Sequence, residues 1–169
     1  VVVALDSDFL ASGPTSLRYT AEFMAGRRVL SAATDAGRAS MNRLYVIETA
    51  LTCTGAKADH RLALPPSQIE AFTRALAGQL GIVGSGGGEG SHRTWIEAVC
   101  RDLEQHRGRS VILAGERQPP AVHALAHAMN HRLGNMNRTV LSTEPLQSRP
   151  VNSANSLNEL AQAMDQGQV

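Results

Sequence analysis

A chain of 169 residues is long enough to bury one ordinary core, and 43% hydrophobic with 18% charged residues excludes a disordered tail. A formal net charge of +1 excludes a dedicated nucleic-acid surface, which needs a dense basic stripe. Aromatics make up only 4%, so the core must be built from Val, Leu, Ile and Ala, the residues of buried parallel strands covered by helices. The positive charge is almost all arginine, Lys57 being the only lysine, which reads as codon bias rather than phosphate recognition.

The apolar run from Val1 leads into Asp6-Ser7-Asp8 and Phe9, the pattern of a buried strand that opens at its C-terminal end into a polar loop. Ser12-Gly13-Pro14-Thr15 marks a turn and a helix start, and Leu17, Ala21, Met24 and Ala25 recur at helical spacing to about Arg28. Residues 31–41 are a loop or a short connecting helix. Leu44 to Ile47 is a second strand ending at Glu48-Thr49, followed by a polar loop over Thr52-Cys53-Thr54-Gly55. Arg61 to Leu64 is a short third strand, and Pro65-Pro66-Ser67 opens a helix carrying Ile69, Phe72, Leu76 and Leu80.

Residues 84–91 (GSGGGEGS) read as a mobile linker; they lack the GK[ST] ending of a phosphate loop. A helix from Thr94 to about His106 follows, then a strand over Ser110 to Gly115. Pro119-Pro120 starts a helix that runs to Leu133 and closes on Gly134. Thr139 to Ser142 is a last short strand, residues 145–169 form a polar tail, and Leu157 to Met164 within it is helical. The opening in mid-strand at Val1 and the stop at Val169 give the expectation of a single domain, 1–169, cut from a larger chain.

This alternation predicts an α/β fold, Rossmann-like, in three layers (α/β/α) with a mostly parallel, doubly wound sheet. Ligands of such sheets sit beyond the C-terminal strand ends, here Asp6 to Asp8, Glu48 to Thr54, Gly115 to Gln118 and Thr143-Glu144. No run reaches the roughly 18 apolar residues of a membrane span, and no signal peptide is present.

Four features invite chemistry. Cys53 and Cys100 have no metal-like spacing, so an iron–sulfur cluster or structural zinc is not expected; two isolated buried thiols fit better than a disulfide. His123, His127 and His131 fall at i, i+4 and i+8, but no third ligand is nominated. The stripe reads as a helix face packing on the sheet or on a neighbour. Asp6 and Asp8 suit a cation or a ribose less well than the capping of their own turn. Without GxSxG, hydrolase chemistry has no support.

Taken in succession, several stretches resemble the molybdopterin oxidoreductase superfamily. Val1 to Pro14 resembles its strand followed by Gly-Ser-Asn. Val46-Ile47-Glu48 through Thr52, Thr54, Ala58-Asp59 and Leu62-Ala63-Leu64 is similar to its run of Val-Asp-Pro-Arg, Thr, Thr-Ala, Ala-Asp and Leu-x-Ile. Ile112 to Gly115 is similar to a later strand, and Met129-Asn130 through Leu133-Gly134-Asn135 to its Leu-Asn-x-x-Leu-Gly-Asn helix end. Within the superfamily the wording is closest to the molybdopterin-like part of the iron–sulfur subunit of alternative complex III, a membrane-bound assembly that oxidises quinol.

That resemblance implies a location on the extracytoplasmic face of the bacterial inner membrane, iron–sulfur clusters elsewhere in the parent chain, and other domains and subunits as partners. It also implies cofactor-contact positions at Asp6, Ser7, Glu48, Thr52, Thr54 and Gln68. Glu48-Thr49-Ala50 stands in place of the phosphate-binding Asp-Pro-Arg, Gln68 in place of a guanine-binding carboxylate, and Asp6-Ser7-Asp8 in place of Gly-Ser-Asn. Each lost charged contact costs on the order of 1.5–3 kcal/mol. The expectation is a vestigial site without catalytic residues or metal, in a scaffold domain that does not bind molybdopterin guanine dinucleotide. The alternative is the cofactor-binding part of an active molybdopterin oxidoreductase.

Overall fold

Short apolar runs bounded by polar turns become four strands, and the stretches with helical spacing become the layers that cover them. The computed structural model describes residues 1–28, 41–82, 92–143 and 152–168. In chain order the elements are β1 (Val2–Leu5), α1 (Ser16–Ala25), β2 (Leu44–Glu48), α2 (Cys53–Ala56), β3 (His60–Ala63), α3 (Pro66–Gln79), α4 (Arg93–Gln105), β4 (Val111–Ala114), α5 (Pro120–Arg132) and α6 (Ser153–Asp165). The strands form one parallel sheet in the order β3-β2-β1-β4. The chain therefore winds outward from β1 to β3, then returns to the other side of β1 with β4. The winding reverses between β1 and β4, and the crevice beyond their C-terminal ends is the natural ligand position of such a sheet.

Both faces of the sheet carry helices, which makes the fold three-layered, α/β/α and Rossmann-like. Val3, Leu5, Tyr45, Ile47 and Ile112 face α3, α4 and α5 in the larger cluster. Ala4, Leu44 and Val46 face Phe23 of α1 in the smaller one. Prolines preset the first turn of both α3 (Pro66) and α5 (Pro120). Beyond α3 and α5, Gly81 (φ 79°) and Gly134 (φ 70°) adopt the left-handed conformation that ends a helix without steric cost. Fully buried Ile69 and Leu76 of α3 each contribute about 1.5–3 kcal/mol by leaving water.

At the N-terminal edge of the sheet, α4 is fastened by a buried carboxylate. Asp102 accepts two hydrogen bonds from Arg43, at 2.7 and 2.8 Å, and one from the Tyr45 hydroxyl at 2.9 Å. Burial, reinforced by the Asp102 hydrogen bond, pushes the Tyr45 phenol up to about 12, so it remains a donor.

The outer edge of β4 is closed by a side chain. Asn130 of α5 accepts from Ile112 N–H at 3.0 Å and donates to Ile112 C=O at 2.8 Å, as a fifth strand would. Asn135 donates to Asn130 and to Ser110, and Thr139 donates to the Ser110 carbonyl. Asn130 and Asn135 are both buried, so the Met129-Asn130 to Gly134-Asn135 motif is an edge clamp.

Several expectations are corrected. Thr139 to Ser142 is not a strand; only a single bridge, Met136 to Val140, forms there, because Asn130 already occupies the hydrogen-bonding groups of Ile112 that a neighbour would use. Thr52 to Gly55 is not a loop: Thr52 caps the one-turn helix α2. The terminal helix begins at Ser153 rather than Leu157, because Asn152 accepts from Ala154 and Asn155 N–H and starts it a turn earlier. Residues 31–40 and the expected linker over 84–91 lie outside the described residues, as do residues 145–151 of the polar tail.

Replacing Asn130 by Leu keeps the volume but leaves the Ile112 N–H and C=O unpaired. We expect a loss of about 2–4 kcal/mol in urea unfolding with an unchanged slope. A loss below about 1 kcal/mol would show that water replaces the clamp.

Candidate functional site

The crevice between the C-terminal ends of β1 and β4 encloses about 380 Å³ and is lined by Asp6, Ser7, Asp8, Tyr19, Glu116 and Arg117 among others. Its floor is a close approach of two backbones. Gly115 donates its N–H to Leu5 at 2.8 Å, and a Cβ at this position would stand 1.9 Å from the Asp6 carbonyl oxygen. Only glycine fits there. Asp6 itself turns left-handed (φ 53°), which ends β1 and directs the chain across the crevice.

The carboxylates nominated from sequence are held by the protein itself. Asp6 accepts from Thr49 N–H at 3.1 Å and from the Gln118 amide at 2.8 Å, tying the ends of β1, β2 and β4 together. Asp8 accepts from both the N–H and the hydroxyl of Thr54, at 2.9 and 2.7 Å. Thr54 is fully buried and its hydroxyl also accepts from Leu10 N–H at 3.1 Å. These bonds reach other segments, so the two carboxylates tie the end of β1 to β2, α2 and the loop after β4, whereas the residue-level reading has them capping their own turn.

Glu48 is buried at 1% exposure at the end of β2. It pairs with Arg61 of β3 and accepts from the Thr52 hydroxyl at 2.6 Å, while Thr52 in turn accepts from Gly55 N–H at 3.0 Å. Gly55 packs directly on this carboxylate: a Cβ there would lie 1.8 Å from Glu48 Oε1. The first-turn N–H groups of α2, at Thr54 and Gly55, are therefore taken by Asp8 and Thr52, and none of this pair is left for a phosphate.

The structure thus brings Asp6, Ser7 and Asp8 to the crevice and joins Asp8, Thr54, Thr52 and Glu48 in one chain of contacts beside it. Gln68 is not part of it. It is exposed on the first turn of α3 and does not line the crevice. Glu116 and Arg117 fall within the Gly115 to Gln118 segment that topology nominates, whereas Tyr19, on α1, is not at a strand end and carries no signal in the sequence.

Three carboxylates and one guanidinium line the crevice, so a diphosphate meets net negative charge. The hydroxyls of Ser7 and Ser12 have no histidine beside them among its lining residues. No group of three His, Cys, Asp or Glu able to hold a metal occurs among the described residues. His127 and His131 are exposed and His123 is half-buried, while Val122, Ala126 and Met129 pack inward. Of the two expectations for the histidine stripe, packing on the sheet is corrected, since the adjacent apolar stripe does so, and packing on a neighbour is left as an expectation.

Four of the six positions that the resemblance assigns to cofactor contact are placed otherwise. Glu48 is committed to Arg61, Thr52 and Thr54 are consumed internally, and Gln68 lies away from the crevice. A comparison with protein-family models and with curated proteins found no match.

Both cysteines are free thiols, but only Cys100 is buried; Cys53 is exposed on α2, a correction to the expected pair of buried thiols. Burial, with Glu104 adding to it, pushes the Cys100 thiol up to about 12. A maleimide at neutral pH should label Cys53 alone in the folded chain and both residues in urea; labelling of Cys100 without denaturant would contradict its burial. In a second test, Gly55→Ala should destabilise the fold by about 3 kcal/mol or more, because the Cβ and the Glu48 carboxylate compete for one space. A cost within 0.5 kcal/mol would mean that Glu48 and Arg61 move apart freely.

Proposed function

We propose that this chain is a non-catalytic scaffold domain of the molybdopterin oxidoreductase type, within a membrane-associated respiratory complex that oxidises quinol. The observation that carries the reading is Glu48. It occupies the position where the resemblance places the first residue of a phosphate-binding Asp-Pro-Arg, yet its carboxylate serves Arg61 and Thr52. A residue turned inward to hold β2, β3 and α2 together does structural work that cofactor binding would interrupt.

The parallel sheet with its reversal between β1 and β4 supports the scaffold part of the reading. Exposed apolar side chains support the partner part. Leu17, at the start of α1, is 87% exposed, and Leu51, just beyond β2, is 67% exposed. In this reading they contact another domain of the same chain or a neighbouring subunit. In this reading the iron–sulfur clusters belong to another region of the parent chain, and the assembly works at the extracytoplasmic face of the bacterial inner membrane. Among the described residues no helix is long and apolar enough to cross a membrane.

The test has two arms. Calorimetric titration with GDP, the nucleotide half of the cofactor, should give no binding tighter than about 10 μM. Metal analysis of the parent protein should find iron without stoichiometric molybdenum or tungsten. Tight GDP binding together with molybdenum would overturn the reading in favour of an active molybdopterin oxidoreductase.

A further inference from the structure

The face of the sheet that carries α1 is only half covered. Val111 and Leu113 of β4 pair with Val2 and Ala4 of β1, so strand alternation puts them on the α1 side. Both remain half-buried, and neither belongs to either buried cluster. The opposite face has three helices, α3, α4 and α5. On the α1 side, Phe23 packs with Ala4, Leu44 and Val46, which lie on β1 and β2. Among the described residues, no helix packs over the β4 part of this face.

Helix α6 is the counterpart. Alone among the described helices it has no buried residue. Leu157, Leu160, Ala161 and Met164 fall at i, i+3, i+4 and i+7, one apolar stripe, and the three large side chains are 66%, 47% and 62% exposed. A thirteen-residue helix with such a stripe is marginal in water by itself.

We propose that α6 seats its apolar stripe on the uncovered α1-side strip of β4 in the same molecule, completing that layer. The dimensions agree. Leu157 to Met164 spans roughly 10 Å along a helix, and the four residues of β4 span roughly 13 Å. From Thr143 to Asn152 the chain extends at most roughly 30 Å, and Thr139 is fastened at the start of β4 by its bond to Ser110. So short a tether holds α6 at a millimolar effective concentration beside the strip, which favours its own molecule over a second copy.

The proposal does not rest on what the crevice binds, because neither Val111 nor Leu113 lines it.

Amide hydrogen exchange on the chain tests it. The amides of α6 should exchange at least ten-fold more slowly than their unstructured rates, at every protein concentration. Leu160→Asp and, separately, Leu113→Asp should each release α6 to free exchange. Met24→Asp, on the outer side of α1, should leave α6 protected. With Cys53→Ser as background, Leu113→Cys with Leu160→Cys should be joined by a short thiol cross-linker within one molecule. Free exchange of α6 in the unaltered chain would overturn the proposal. So would cross-links formed only between molecules, or protection lost on dilution, which would assign the strip to a second copy. Protection gained only when another subunit is added would assign it to that partner and overturn the proposal equally.

Discussion

One buried carboxylate organises the C-terminal edge of the sheet. Glu48 ends the strand β2 inside the protein, where an unpaired charge would be prohibitively costly, so its surroundings are built to satisfy it. Arg61 comes from the neighbouring strand, the Thr52 hydroxyl from the helix cap, and Gly55 gives up its side chain to make room. Because Thr52 also caps α2, and Thr54 of the same turn holds Asp8, the constraint spreads from β3 through β2 to the loop after β1. The turns that would face a ligand are shaped by this internal demand.

The three polar centres of the domain share that logic. Asp102 fastens α4 to the strand β2 through Arg43 and Tyr45. Asn130 closes the edge of β4, and Glu48 closes the ends of β2 and β3. Each lies where apolar packing stops, at a boundary of the sheet, and each uses one side chain to satisfy several groups. The two small hydrophobic layers supply cohesion, whereas these centres fix which strand stands next to which.

Much of this was legible in the residues. Apolar runs located β1, β2 and β4, the mixed stretch Arg61 to Leu64 located β3 to within one residue, the proline pairs located the starts of α3 and α5, and Gly134 located the end of α5. The strand ends also pointed to the crevice. What periodicity could not reveal was tertiary in origin. A four-residue helix such as α2 has too few turns to carry a pattern, and it exists because Asp8 and Thr52 take up its first N–H groups. Thr139 to Ser142 has the composition of a strand, but the edge it would join is already filled by Asn130, eighteen positions after Ile112. The candidate residues were found, while their consumption by one another was not, since composition does not tell whether a carboxylate faces a ligand or its own neighbour. Gln68, a position matched by resemblance, lies on the outside of a helix, which no periodicity of the apolar residues assigns to the crevice.

The strand order has a bearing on how the chain is made. The central strand β1 pairs on one side with β2, 42 residues later, and on the other with β4, 109 residues later, as the Val2–Leu44 and Val2–Val111 partners show. At synthesis rates of about 5–20 residues per second, that second side waits roughly 5–20 s for its partner. During this interval β1 is itself an outer strand with open hydrogen-bonding groups, whereas β4 emerges close to the helix that carries its own clamp. The ribosome-bound chain is thus most exposed to wrong pairing at the strand that ends up best protected.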